Sequence, residues 1–297
     1  MEDGYQPVRE KAMAVYKRSY SGYTGAITPR RSRFLILTRY SARGLFSSRI
    51  MTGLFILSLI FPILVIAGLY LNHNTQLMSL LKFHGDSFLD VDGKLFMFVM
   101  SFQGSFAFLI TAFIGPGLIA PDLTNNALPL YFCRPISRSE YVLGRACVLL
   151  FLLSLVTWIP GVLIFAIQGT LSSGWAMQHV RIAEGILVGS LLWISILTLL
   201  ALALSAWVRW KLVAGGLLLG VMFATTGFAG AIAGVMHTAN GFYIDPAAMV
   251  AIIYTNFFDI DNDSGIGTPG ACLSLISMGA FCIWLLSKKI RAFQVVR

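Results

Sequence analysis

Six apolar runs, each close to the length of a membrane-spanning helix, limit what this chain can fold into. A helix that crosses the hydrocarbon core of a bilayer needs about 20 apolar residues. The sequence predicts spans at approximately residues 50–71, 95–120, 141–168, 183–207, 212–237 and 270–287. Charged residues make up 12% of the 297 residues, whereas soluble domains carry about 25%. We therefore expect an all-α integral membrane protein with six transmembrane helices.

Lysine and arginine are distributed unevenly between the segments that connect these spans. Nineteen of the 22 basic residues lie before the first span, after the second, after the fourth and after the sixth. Only Lys82, Lys94 and Arg181 lie in the other connecting segments, together with seven aspartates. Because basic residues are retained on the cytoplasmic side, both termini are predicted to be cytoplasmic. We expect a multi-pass protein of the plasma membrane, which in a bacterium is the inner membrane. The net charge of +9 then reflects topology, and no nucleic-acid partner is expected.

The segments outside the spans divide the chain further. Residues 1–28 are predicted to be a flexible cytoplasmic N-terminus, rich in Tyr, Ser, Gly and charged residues. Residues 29–49 are predicted to form an interfacial helix with arginines toward anionic headgroups; the alternative is a basic flank that only sets topology. The predicted six-helix domain covers 50–287, with an outer loop at 238–269, and residues 288–297 form a cytoplasmic tail.

A polar, proline-punctuated segment at 121–140 separates two of the apolar runs. Pro121 is expected to end the second span, and Asn125–Asn126 suit a turn. Ser137 followed by Glu140 predicts a capping box that begins the third span. Apolar and basic residues between them form a patch, and such patches usually have partners. The segment is therefore interpreted as a docking loop on the cytoplasmic side; the alternative is that its arginines are topological anchors.

The same segment resembles the first cytoplasmic loop of the ABC-2 type transporter permeases. The resemblance lies in the break Gly115-Pro116-Gly117, the acidic residue Asp122, and the sequence RPISRSEYVLGR from Arg134 to Arg145. The six spans, the cytoplasmic termini and the helix before the first span are similar to that family as well. Members of the family often have Glu and Gly where this chain has Asp122 and Asn125–Asn126.

The resemblance implies the transmembrane permease subunit of an ATP-binding-cassette transporter, one that exports a hydrophobic or amphipathic substrate. The sequence contains no GxxxxGK[ST] motif, so ATP and Mg are expected on a separate ATPase subunit, and this subunit is expected to be non-catalytic, without cofactor or metal. A six-span chain further implies a second permease chain, as a homodimer or a heterodimer. The residues that the resemblance assigns to ATPase docking and coupling are Asp122, Leu128, Leu130, Tyr131, Phe132, Arg134, Pro135, Ser137, Arg138 and Glu140.

Two further features lie inside the predicted spans. Glycines of the fifth span permit close helix approach, either within the chain or in a dimer contact; they are Gly216, Gly220, Gly227, Gly230 and Gly234. Gln103 is the one strongly polar side chain well inside a span, where it faces a transport pathway or bonds to a neighbouring helix.

The alternative function is a stand-alone secondary transporter or a membrane scaffold without an ATPase. A secondary carrier usually shows ionisable residues at mid-membrane or inverted repeats with broken helices, and the sequence shows neither pattern.

Overall fold

The computed structural model describes residues 33–45, 48–74, 90–132, 137–208, 210–262 and 264–289, and the regular structure of these segments is helical. Residues 1–28 of the predicted N-terminus and 290–297 of the predicted tail lie outside them. A 3₁₀ helix runs over Ala239–Ile244. The α-helices in chain order are α1 (Arg33–Leu45), α2 (Arg49–His73), α3 (Gly93–Ile114), α4 (Pro116–Thr124), α5 (Leu128–Phe132), α6 (Arg138–Val156), α7 (Trp158–Leu171), α8 (Trp175–Gln178), α9 (Val180–Trp207), α10 (Lys211–Met236), α11 (Pro246–Phe257) and α12 (Thr268–Lys289).

Within these segments, six helical stretches are long and apolar enough to cross a membrane. They are Arg49–His73, Gly93–Thr124, Arg138–Leu171, Val180–Trp207, Lys211–Met236 and Thr268–Lys289. Each predicted span falls within a few residues of one of them, so the prediction of six helices of spanning length and apolarity is confirmed. Two stretches consist of consecutive helices, α3 with α4 and α6 with α7.

The break between α3 and α4 lies at Gly115. A Cβ atom on that residue would lie 2.6 Å from the Cβ of Ala201 on α9, closer than two such atoms can pack. Pro116 follows as the first residue of α4, where its missing N–H costs little. Pro121, which was expected to end the span, lies inside α4, and the helix continues to Thr124. That prediction is wrong: the break between the two helices lies at Gly115, six residues earlier.

Successive spans run in opposite directions, which gives the bundle two distinct ends. At one end, Lys211 lies against Gly117, and the indole N–H of Trp207 donates to the carbonyl of Leu285 at 3.4 Å. We call this the basic end, because its charged residues include Arg39, Arg49, Arg138, Arg145, Lys211, Lys288 and Lys289.

At the other end, Arg181 donates to the carbonyl of Asn256 at 3.2 Å, and Gly93 lies against the carbonyl of Phe258. We call this the acidic end. Its acidic residues include Asp90, Asp92, Glu184, Asp259 and Asp261. The uneven charge distribution read from the sequence thus corresponds to two opposite ends of the bundle.

The segment 238–269 contains more structure than the loop read from the sequence. The 3₁₀ helix and α11 fold back against the bundle, and α11 packs on α9 at two glycines. A Cβ on Gly189 would lie 2.3 Å from the ring of Tyr254, so the absence of a side chain makes room for that ring. The Tyr254 hydroxyl lies 3.0 Å from Ser190 Oγ. At 12 residues, α11 is too short to be recognised as a span.

Helix α1 packs against the beginning of α6. Thr38 Oγ1 donates to the carbonyl of Gly144 at 3.0 Å, while Leu35, Ile36 and Tyr40 are exposed on the outside. An apolar exposed face beside arginines is the pattern of a helix in the membrane interface, and that location stays a prediction.

The six-span arrangement predicts that the basic and acidic ends lie on opposite sides of the membrane. Asn125 and Asn262 are both exposed, and they lie at the basic and the acidic end respectively. In a variant without native cysteines, Asn125→Cys should react with a membrane-impermeant maleimide only from the cytoplasmic side, and Asn262→Cys only from the outer side. Labelling of both positions from the same side would contradict the arrangement.

Candidate functional site

The predicted docking loop is two short structured elements joined by a tight turn. Helix α4 ends in a Schellman motif, in which Ala127 N–H donates to the carbonyl of Asp122 at 2.8 Å and Asn126 N–H donates to that of Leu123 at 3.4 Å. Asn126 has a φ of 51°, in the left-handed region that asparagine tolerates better than most residues. The predicted turn at Asn125–Asn126 is confirmed, and α5 follows it directly.

The start of α6 is fixed by the capping box that the sequence predicted. Ser137 Oγ accepts a hydrogen bond from the N–H of Glu140 at 3.2 Å. The Glu140 carboxylate in turn accepts from the N–H of Ser137 at 2.7 Å. Two N–H groups that the first turn leaves without helical partners are thereby satisfied, and the loop enters α6 in a fixed direction.

A buried ion pair joins the loop to the bundle. Asp122 Oδ2, at the end of α4, accepts hydrogen bonds from Arg145 Nη2 on α6 and from the hydroxyl of Tyr141, the latter at 2.6 Å. The Arg145 and Asp122 side chains are only 10% and 15% exposed, so each charge depends on the other for compensation. The guanidinium also lies 5.5 Å from the centre of the Tyr141 ring. We call Asp122, Tyr141 and Arg145 the anchor.

The anchor also binds α1. Arg145 Nη1 donates to Ser41 Oγ at 2.6 Å, and the hydrogen bond from Thr38 to Gly144 lies one turn away along α1. Arg145 is a residue of α6, and its guanidinium binds α4 through Asp122 and α1 through Ser41. The three elements that meet at the basic end are connected through one side chain.

A second buried polar residue supports α4 at its beginning. Ser205 Oγ on α9 accepts from the N–H of Ala120 at 2.9 Å and of Ile119 at 3.3 Å, and donates to the carbonyl of Pro116 at 3.0 Å. Backbone groups that the break at Gly115 deprives of helical partners find them here. Ser205 thus holds the bent segment against the central helix.

The loop residues predicted for docking divide into an inner and an outer set. Leu128 is 7% exposed and belongs to the core, whereas Leu130 is 72% exposed. The ring of Tyr131 lies 5.5 Å from that of Tyr141, so it packs on the anchor. Arg138 and Ser137 are exposed. The side chain of Phe132, together with Arg134 and Pro135, lies outside the described residues.

Asp122 belongs to the inner set. Its carboxylate is occupied by Tyr141 and Arg145, so it positions the loop from within. The outward surface of the described loop therefore centres on Leu130 and Arg138.

The glycines singled out in the fifth span make no close contact with the described residues of other helices. A Cβ atom on Gly216, Gly220, Gly227, Gly230 or Gly234 would meet no described atom within 4 Å. The described residues therefore do not pack against these five positions, and the contact with another chain stays a prediction. Their neighbour Gly215 does pack inside, where a Cβ would lie 2.8 Å from the carbonyl of Ala112.

Gln103 lies on α3 in the packed core. It is 0% exposed, and its amide has no hydrogen-bond partner among the described residues. In this conformation it is shielded from solvent, and its placement on a pathway stays a prediction.

Sequence reasoning missed the partners of Asp122. Arg145 was counted as a topological charge, and Tyr141, Ser41 and Ser205 were assigned no role. One signal was present: Tyr141 and Arg145 are four residues apart at the start of an apolar helix, hence on one face, and a charge inside a span usually has a partner.

No protein-family model and no curated protein matches this chain. Among the described residues, no three His, Cys, Asp or Glu side chains come together to hold a metal ion. The assignment of a function therefore rests on the geometry of the anchor and the loop.

Removal of one charge of the anchor should strongly destabilise the protein. Asp122→Asn or Arg145→Gln leaves the other charge buried without compensation, which typically costs about 3–5 kcal/mol. The double variant should lose less than the sum of the two, because it leaves no unpaired charge. The measurement is the thermal unfolding midpoint of the purified protein in detergent.

The exposed Asp259→Asn at the acidic end is the matched control, and it should stay within about 0.5 kcal/mol of wild type. Single variants as stable as this control, or strictly additive effects in the double variant, would contradict a buried, mutually dependent pair.

Proposed function

We propose that this chain is the transmembrane permease subunit of an ATP-binding-cassette transporter, which exports a hydrophobic or amphipathic substrate with ATP hydrolysed by a separate subunit. The observation that carries the proposal is the loop at the basic end: an outward surface of Leu130 and Arg138 on a rigid base. That base is tied to the bundle by the buried pair of Asp122 and Arg145.

The anchor suits the transmission of movement from a soluble partner to the membrane helices. Because Arg145 binds both Asp122 and Ser41, displacement of the loop carries α1, α4 and α6 together. The break at Gly115 separates α4 from α3, so α4 has a hinge at its start, of the kind that rigid-body movements use. A loop that only set the membrane topology would need neither the buried pair nor the hinge.

The charge distribution supports a cytoplasmic location for this loop. Basic residues gather at the same end as the loop, and they are retained on the cytoplasmic side of a membrane. Both termini then lie in the cytoplasm, where a soluble ATPase has access to the exposed Leu130 and Arg138. Localisation in the plasma membrane belongs to the same proposal.

Charge reversal and truncation of the outward surface should uncouple the ATPase without disturbing the fold. Leu130→Ala with Arg138→Glu changes two exposed side chains, whereas replacement of Tyr131 disturbs its packing on the anchor. We expect binding of the partner ATPase to weaken by about 2 kcal/mol or more, the loss typical of a hot-spot residue. The measurement is co-purification with the ATPase and substrate-stimulated ATP turnover.

Lys288→Glu is the control. Lys288 lies at the same end, on α12, over the ring of Trp284, and the substitution reverses its charge. The Leu130 and Arg138 double variant should insert normally and lose stimulation, and Lys288→Glu should keep it. Full stimulation in both would remove the loop from energy transfer. Failure of any ATPase to co-purify with the wild-type chain would favour the stand-alone carrier or scaffold.

We also propose that two permease chains pair through α10. With about 3.6 residues per turn, the five open glycines from Gly216 to Gly234 fall on one face of this helix. In the single chain, 28% of the residues in the most apolar part of α10 are buried, against 61% for α9. A glycine face without a partner inside the chain suits close approach by a second helix, from an identical or a related chain.

Gly220→Leu should prevent close approach and shift the purified protein from dimer to monomer. The control is Gly53→Leu on α2. A Cβ at Gly53 also meets no described atom within 4 Å, but Gly53 is not part of a row of glycines. The measurement is the mass of the particle in detergent or nanodiscs. A Gly220→Leu protein that remains dimeric would show that this face contacts lipid instead.

A further inference from the structure

A groove of about 740 Å³ opens at the basic end between the beginnings of α2 and α10. Its floor is apolar and comes from α3 and α4, through residues such as Leu109, Phe113 and Leu118. The volume lies within the range of about 300–1,000 Å³ that is common for pockets that hold small molecules. A groove of this kind accepts an acyl chain.

Among the described residues that line the groove, two are cations, Lys211 and Arg145, and none carries a carboxylate. Arg145 is already paired with Asp122. Lys211 makes no ion pair or side-chain hydrogen bond with the described part of the chain. Among the described residues, the groove therefore presents one positive charge without a partner, beside an apolar floor.

Lys211 is directed across α4, because Gly117 has no side chain. A Cβ on Gly117 would lie 3.2 Å from Lys211 Cε and 3.5 Å from Nζ. The ammonium group thus lies at the wall of the groove, where any larger residue at position 117 would displace it.

Two helix N-termini add positive potential at the same place. Helices α2 and α10 both begin beside the groove, at Arg49 and Lys211, and their N-cap residues Ser48 and Trp210 make no side-chain cap with the described residues. The N–H groups of an uncapped first turn form an anion site. Ser48, Ile50, Lys211 and Leu212 line the groove, so these ends lie at its rim.

We propose that this groove binds one anionic phospholipid from the leaflet at the basic end, with the phosphate at Lys211 and the first turns of α2 and α10 and an acyl chain along the apolar floor. The charges at the groove argue against two other occupants, a second copy of the chain and residues 1–32 of the same chain. Of the five glycines proposed for pairing only Gly216 lines the groove, and a second copy paired through that face would bring no charge to compensate Lys211. Residues 1–32 carry six basic and three acidic side chains, so their net charge has the same sign as the groove. The proposal requires only that the chain lies in a membrane, and it holds whether or not it transports anything.

The test is native mass spectrometry of the purified wild-type chain in neutral detergent, titrated with phosphatidylglycerol or with phosphatidylcholine of the same acyl chains. We expect one phosphatidylglycerol per chain, bound at least about five-fold more tightly than phosphatidylcholine. Lys211→Gln should abolish most of that preference. Gly117→Val, which keeps the charge but displaces the ammonium group, should reduce it as well.

Lys288→Gln is the control, because Lys288 lies at the same end over the ring of Trp284, 3.9 Å from its centre, and outside the groove. It should keep the wild-type preference, and the unfolding midpoint of each variant shows that it is folded. Equal affinity for the two lipids, or a preference that survives Lys211→Gln, would overturn the proposal. A dimer that binds no lipid would also overturn the proposal, because a second copy would then occupy the groove. Equal competition by glycerol 3-phosphate would overturn it too, because the groove would then be a site for a soluble anion. No ATPase is present, so these results are independent of the proposed permease function.

Discussion

The buried pair of Asp122 and Arg145 is the interaction on which the arrangement at the basic end depends. Neither charge is solvated enough to persist without the other, because removal of one partner from such a pair typically costs about 3–5 kcal/mol. The pair joins the end of α4 to the beginning of α6, and the second arm of the same guanidinium holds α1 through Ser41. Tyr141 donates to the same carboxylate oxygen, Oδ2, that the guanidinium binds. The outward position of Leu130 and Arg138 follows from this inner arrangement, since α5 and the capping box at Ser137 are attached on either side of it.

Helix α9 provides the frame against which these parts are held. It is the most buried of the candidate spans, at 61%, and its small residues make room for two irregular segments. Gly185 and Gly189 accept the aromatic rings of α11 and its C-terminal end, while Ala201 and Ser205 accept the break at Gly115 and the first turn of α4. The least buried spans are α2, α10 and α12, where 22%, 28% and 28% of the residues in the most apolar part are buried. Their exposed faces, and the groove between α2 and α10, are surfaces available to lipid or to a second chain.

The features that could be predicted from the sequence are those that depend on composition or on residues close together in the chain. The six spans follow from apolar length, and the cap at Ser137 and the turn at Asn126 follow from residues within four positions of each other. The anchor was not predictable in the same way, because Asp122 and Arg145 are 23 residues apart and meet only through the turn between α4 and α6. Ser205 lies 85 residues from Ala120, and an apolar helix gives no sign of which serine it will use. The sequence also did not show whether the glycines of α10 face the bundle or its outside, since a row of small residues suits an internal contact as well as an external one. Pro121 was misread because the break that shapes the helix is the glycine before it.

Hydrogen exchange tests most directly whether the anchor holds the loop and α1 as one unit. Exchange of the amides in residues 125–132 and 33–45 is measured by mass spectrometry in nanodiscs, for wild type, Arg145→Gln and Ser41→Ala. The account predicts that Arg145→Gln accelerates exchange in both segments, by about tenfold for each 1.4 kcal/mol of lost stabilisation, whereas Ser41→Ala accelerates it in residues 33–45 alone. Unchanged exchange in both segments of Arg145→Gln, or acceleration in only one of them, would contradict the claim that one guanidinium joins the loop, α6 and α1.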